Sequence, residues 1–269
     1  MRFARLLLFP LVLRASVAVA DDSLRDLCPD RPGKNNSACT VDANHFQLES
    51  ALFDGTFQHL HGITTDTYFV ADPTLKYGVT GNFDVEASLA PLEILRRHDT
   101  RTGEMRTYES VGDLFLRAKW AAIGNGGSDF ALVLEPFLKI PTAQRPIGNG
   151  SVEGGLLMPI AATLGDGWSL QTTPEMDVNL NASGRGYHPA LTGVIGLSRT
   201  VGEGVTLEAE FWESTDFDPA GSAQQFTADL DASWIPGSLP GLQLDGGVNF
   251  GLDRNAPGVE IYCGLSHRF

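Results

Sequence analysis

From His45 onward, apolar and polar side chains alternate with a period of two, which restricts the chain to extended strands whose two faces meet different surroundings. The stretch from Trp168 to Leu180 shows this most clearly. Trp168, Leu170, Thr172, Pro174, Met176, Val178 and Leu180 share one face, while Ser169, Gln171, Thr173, Glu175, Asp177 and Asn179 share the other. A helix would scatter both sets around its circumference. The pattern recurs: Phe83, Val85, Ala87 and Leu89 alternate with Asp84, Glu86 and Ser88. Val205, Leu207, Ala209 and Phe211 alternate with Thr206, Glu208 and Glu210, and Phe226 to Trp234 alternates around Thr227, Asp229, Asp231 and Ser233. Twelve such strands are expected in all.

The connections between them alternate in length. Short, glycine-rich turns occur at Thr80–Asn82, Gly124–Gly127, Gly165–Gly167, Gly202–Gly204 and, slightly longer, Ile235–Gly241. Long connections are expected at Asp54–Asp66, Pro91–Ser110, Pro141–Gly150, Asn181–His188, Ser214–Ala223 and Asp253–Gly258. Short turns on one side and long loops on the other are the habit of outer-membrane β-barrels. Five short and six long connections give an even strand count with both termini on the periplasmic side. The competing architecture is a soluble β-sandwich. The aromatic ends of the apolar faces, Trp120, Phe130, Trp168, Trp234 and Phe269, favour interfacial girdles and hence the barrel.

The N-terminus agrees with export. Arg2 and Arg5 precede an apolar run from Leu6 to Leu13, and Ala18-Val19-Ala20 forms a small-residue cleavage site. The run is too short for a membrane helix, which takes about 20 residues. Residues 1–20 are therefore expected to be a signal peptide, residues 21–43 a periplasmic segment, and residues 44–269 the barrel. Within the second region Cys28 and Cys39 frame a short polar stretch, as expected of a local disulfide in an exported chain. Cys263 is expected as a small apolar residue facing lipid.

Without its leader the chain keeps 16 Lys and Arg (19 less Arg2, Arg5 and Arg14) against 33 Asp and Glu, a formal charge near −17. That balance argues against a nucleic-acid partner. The strand register puts most of this charge inside. Expected lumen residues are Glu49, Asp84, Glu86, Asp113, Glu135, Glu153, Glu175, Asp177, Glu208, Glu210, Asp229, Asp231, Asp245 and Glu260, with Lys76, Arg117, Lys119, Lys139 and Arg268 as basic partners. Buried charge must be paired or hydrated. The interior is thus a narrow wet channel or a salt-bridged closure, and an acidic excess in a channel favours cations over anions.

Other chemistry is sparse. His59 and His61 share a strand face in the first long connection, but two ligands without a third make a poor metal site. Ser266 and His267 point to opposite faces of one strand, and no nucleophile elbow or phosphate loop occurs. No catalytic constellation, metal site or cofactor site emerges, and the chain is read as non-enzymatic. The last strand places Val259, Ile261, Cys263, Leu265, His267 and Phe269 on its lipid face, opposite Glu260, Tyr262, Gly264, Ser266 and Arg268. A terminal aromatic on that face resembles the signal read by the barrel assembly machinery, so Phe269 is the expected membrane-assembly signal.

One family resemblance adds to this. Val111-Gly112-Asp113-Leu114, Glu135 through Thr142, Ile147-Gly148-Asn149-Gly150, Gly167 through Leu170 and Pro174-Glu175 resemble a family of bacterial outer-membrane transporters linked to the meta-pathway of phenol degradation. The likeness covers roughly residues 45–269. It implies a barrel of about twelve strands that passes small solutes, aromatic and hydrophobic ones among them. The alternatives are a lipid-acting barrel enzyme and a structural barrel with a plugged lumen. Outer-membrane lipid is the expected surrounding.

Overall fold

The computed structural model describes residues 24–269, so the expected leader lies outside the described residues. Among the described residues the regular structure is all strand: β1 (Phe46–Leu60), β2 (Ile63–Val70), β3 (Asp72–Thr80), β4 (Phe83–Ser88), β5 (Leu92–Asp99), β6 (Met105–Ser110), β7 (Leu114–Ile123), β8 (Phe130–Ile140), β9 (Glu153–Leu157), β10 (Ile160–Gly165), β11 (Trp168–Leu180), β12 (Tyr187–Gly202), β13 (Val205–Asp216), β14 (Ala223–Trp234), β15 (Leu242–Gly251) and β16 (Val259–Arg268). All ladders between named strands are antiparallel. The wall runs β1, β3, β4, β7, β8, then β9 and β10 end to end, then β11 to β16 in order, which makes twelve positions. β1 pairs with β16 from Gln47↔Arg268 to Phe57↔Val259 and closes the barrel. Closure leaves no sheet edge, as a lipid surrounding requires, because an unpaired backbone group in hydrocarbon costs several kcal/mol.

Two of the expected long loops are strand instead. The outer half of β1 pairs with β2, β2 with β5 and β5 with β6, so Asp54–Asp66 and Pro91–Ser110 continue the barrel ladders beyond its rim. β2 runs on into β3 through Ala71, which takes a φ of 56°. The two-residue period fades there because polar side chains fill both faces: Thr64, Thr65 and Asp66 face His98, Arg97 and Arg96 across the ladder. Both faces of this extension meet water, so nothing selects alternation, yet the backbone ladder persists. His59 lies 3.1 Å from Thr64 through Nδ1, while His61 sits in the turn at φ 52°, so the two histidines do not share a strand face.

Burial is inverted relative to a soluble protein. Lys76, Lys119, Gln47, Glu135, Asp84 and Asp229 are among the largest fully buried side chains. Leu230, Met176, Ile195, Leu191 and Ile261 are exposed, as is the free thiol of Cys263. A β-sandwich would bury those apolar residues against a second sheet; here they form a belt that only lipid can cover. Phe130, Trp168 and Trp234 lie at strand ends on the short-turn rim, Trp120 lies three residues before the end of β7 there, and Phe269 follows β16. The protein is an outer-membrane β-barrel.

Ile195 sits near the middle of β12, between Thr172 of β11 and Phe211 of β13. Ile195→Arg should lower the unfolding free energy in lipid vesicles by about 2–4 kcal/mol, the cost of a charge at mid-depth on the lipid face. Denaturant titration followed by tryptophan fluorescence checks this. An unchanged midpoint would mean that the belt does not face lipid.

Candidate functional site in the barrel lumen

The segment expected to lie outside the barrel fills it. Residues 25–42 make hydrogen bonds and ion pairs with inward side chains around the wall, where the sequence suggested a periplasmic segment over 21–43. The physical reason is the charged interior itself. Inward carboxylates and ammonium groups must find partners once water is excluded, and this segment is rich in groups that provide them. Cys28 and Cys39 are disulfide-bonded, with Cα atoms 6.4 Å apart, and the loop they close forms the body of the plug.

On one side of the lumen, Asp30 accepts charge-assisted bonds from both Lys76 and Lys119. Lys76 also lies 2.6 Å from Glu49 and 3.5 Å from Glu86, and Lys119 lies 3.7 Å from Glu135. Both lysines are almost completely buried. Burial pushes the Asp30 carboxyl up, but Lys119 and Lys76 outweigh it and hold this plug residue well below the usual carboxylate range. The carboxylates of Asp30, Glu86 and Glu135 converge as metal ligands would. Lys76, Lys119 and Arg117 already pair with these carboxylates, so the arrangement is a salt-bridge node.

Elsewhere the plug donates from its backbone. Glu210 accepts from the amides of Lys34 (2.7 Å) and Asn35 (3.1 Å) and from Asn35 Nδ2 (2.7 Å). Asn36 Nδ2 donates to both oxygens of Glu135 at 3.0 Å, and Val41 N donates to Asp84 at 2.8 Å. Lys34 pairs with Asp229 at 3.1 Å and Arg31 with Asp245 at 2.8 Å. At the short-turn rim Asp42 holds Arg25 (2.8 Å) and Arg268 (2.9 Å), and Asn125 of a turn caps Thr40. Glycines on the polar faces make room. A Cβ on Gly78 would strike the Asp42 carbonyl, and one on Gly264 would strike Arg31.

The remaining expected lumen residues are held mainly by groups of the wall, with Glu260 also 4.0 Å from Lys34. Lys139 joins Glu153 (2.5 Å) and Asp113 (3.4 Å). Glu175 and Asp177 are half-buried on β11, Asp231 accepts from Tyr262, and Glu260 accepts from Asn249 at 2.8 Å. Glu208 carries a buried carboxylate oxygen with no hydrogen-bond partner among the described residues. Arg117 donates to Ser88 at 2.8 Å and borders a cavity of about 190 Å³ with Asp72 and Thr74, on the long-loop side of Asp30. Sequence reasoning missed Asp30, Arg31, Lys34, Asn35 and Asn36. Their signals were present: a polar, disulfide-framed loop, and glycines interrupting the polar faces of wall strands.

A family model described as "Putative MetA-pathway of phenol degradation" matches residues 29–269, which takes in the barrel and most of the plug. The chain belongs to this family. No curated protein matches the sequence. Among solved structures the chain is similar to the NanC porin, at 6% identity over 82% of this chain and 98% of that one, with a TM-score of 0.52. It is also similar to the β domain of the Bordetella autotransporter Brka, at 14% identity over 85% and 100%, with a TM-score of 0.53. At these identities the likeness is one of fold, and the plug of this chain has to be understood from its own contacts.

Asp30→Asn removes the anion shared by Lys76 and Lys119. Breaking such a buried pair costs about 3 kcal/mol, so amide exchange in residues 28–42 should speed up by about 100-fold while the barrel strands stay protected. Hydrogen-exchange mass spectrometry checks this; unchanged protection of the plug would show that the node does not hold it.

Proposed function

We propose that the chain is an outer-membrane channel for small solutes whose conduit is closed at rest by its own N-terminal segment. The observation that carries this reading is how the inward charges are partnered. Asp30, Arg31, Lys34 and Asn36, all on the plug, bind Lys76, Lys119, Asp245, Asp229 and Glu135 of the wall. A barrel built only as a scaffold fills its interior with wall side chains. This one encloses a space wide enough for a separate segment, and the segment is held by polar contacts that water can replace. Apolar packing of a plug would oppose such an exchange much more strongly.

The parts then have these roles. Residues 1–20 export the chain, residues 24–43 plug it, and the strands form a conduit lined by the carboxylates named above. The acidic excess favours cations and neutral solutes over anions. The family's link to phenol degradation makes small aromatic compounds the first solutes to try. Its partners are outer-membrane lipid, the assembly machinery that inserts it, and the solute. No catalytic step is assigned to it.

Planar-bilayer recordings of the refolded full chain test the reading. Wild type should be closed most of the time, and Asp30→Asn should raise its open probability by about 100-fold, following the plug free energy. If exchange shows the Asp30→Asn plug released and the protein still passes no current, the channel reading fails and a structural barrel remains.

A further inference from the structure

The lumen's charges are segregated. Lys76, Arg117, Lys119 and Lys139 lie on β3, β7 and β8, whereas β11 to β15 carry no inward Lys or Arg; Arg199 of β12 stacks outside on Trp168. Yet β13 to β16 hold Glu208, Glu210, Asp229, Asp231, Asp245 and Glu260. Among the described residues Arg268 of β16 pairs with Asp42 instead, and the cations within 4 Å of these carboxylates are Arg31 and Lys34, both from the plug. Each sits in the same kind of seat. The Arg31 guanidinium lies 2.8 Å from Asp245 and 6.0 Å from the ring centre of Tyr262. The Lys34 ammonium lies 3.1 Å from Asp229, 2.9 Å from the Thr227 hydroxyl and 5.0 Å from the ring centre of Trp212.

A carboxylate combined with an aromatic face selects organic cations, since the ring attracts the charge and covers the alkyl portion. The wall also has capacity that the plug leaves unused. Asp229 Oδ1, Asp231 Oδ2 and Asn249 Oδ1 are buried acceptors without a partner among the described residues, on residues that are 1%, 5% and 3% exposed. Beside Lys34 a cavity of about 100 Å³ reaches Pro257 in the long β15–β16 connection, so the seat faces the long-loop side. Among the described residues no three groups of this wall converge at metal-ligand distance. Glu208 with Asp231 and Glu210 with Asp229 stand as cross-strand pairs without a third ligand, which suits monovalent, elongated cations better than a chelated divalent ion.

We infer that the β13–β16 wall is a binding path for small alkylammonium or guanidinium solutes, and that Arg31 and Lys34 occupy it as tethered substitutes. The plug then closes the lumen by imitating the ligand, and a free cation competes with it. Arrival of that ligand through the lumen rests on the channel reading; binding at the seat does not.

Isothermal titration of the refolded full chain with n-butylammonium, the free counterpart of the Lys34 side chain, tests this in detergent. Lys34→Ala should bind it saturably, and wild type about tenfold or more weakly because Lys34 is already seated. Adding Asp229→Asn to Lys34→Ala should abolish binding, and neutral 1-butanol should not bind. No saturable heat with Lys34→Ala, equal binding of butanol, or binding that survives Asp229→Asn would overturn the inference. Should Lys34→Ala fail to fold, Lys34→Met keeps the stem without the charge and should bind methylammonium beside Asp229; no binding there also overturns it. Binding without conductance would refute the channel and keep the seat, whereas conductance without binding would do the reverse.

Discussion

The hydrogen-bonded seam between β1 and β16 is the constraint on which the rest of the molecule depends. Ten residue pairs join the two strands, and Phe269 N adds a bond to Phe46 O at 2.8 Å. Without the seam, two edges would present unpaired backbone groups to lipid. With it, the sheet separates two environments completely. Every outward side chain must suit hydrocarbon, and every inward one is cut off from the lipid and shares a narrow interior with its neighbours.

That separation creates the electrostatic problem that the plug solves. Carboxylates and ammonium groups on the inner face cannot remain solvated as they would be on a surface. The β3–β8 side meets part of the demand with its own lysines and the shared anion Asp30. On the β13–β16 side the inward cation of the wall, Arg268, is taken up by Asp42 of the plug, and Arg31 and Lys34 reach across to the wall carboxylates. The plug thus carries both signs: it brings an acid to the buried lysines of one side and bases to the carboxylates of the other. Its disulfide holds Asp30, Arg31 and Lys34 in one compact loop, so that both demands are met by a single segment.

Much of the barrel was legible from residues alone. The alternation along Trp168–Leu180 and Phe226–Trp234 identified strands and assigned faces, and the alternating loop lengths implied an even count. Legibility stopped where the environment ceased to differ between faces. Thr64–Thr67 and Arg96–His98 form strands that water meets on both sides, so no period marks them. It stopped again at the plug. Residues 24–43 have no repeating structure, and nothing local in CPDRPGKNNSAC says which distant strand Lys34 or Asn36 will meet.

By itself, then, the sequence determined the covalent pattern of faces: which side chains point to lipid, which point inward, and that the inward set is acidic. It could do so because strand geometry couples each residue to a face with a period that needs no tertiary information. Whether the lumen was open or filled, and which wall charges stand alone, only the tertiary structure decided. Those facts depend on contacts such as Lys34 with Asp229 and Arg31 with Asp245, made between residues about 200 positions apart, and no local rule relates them.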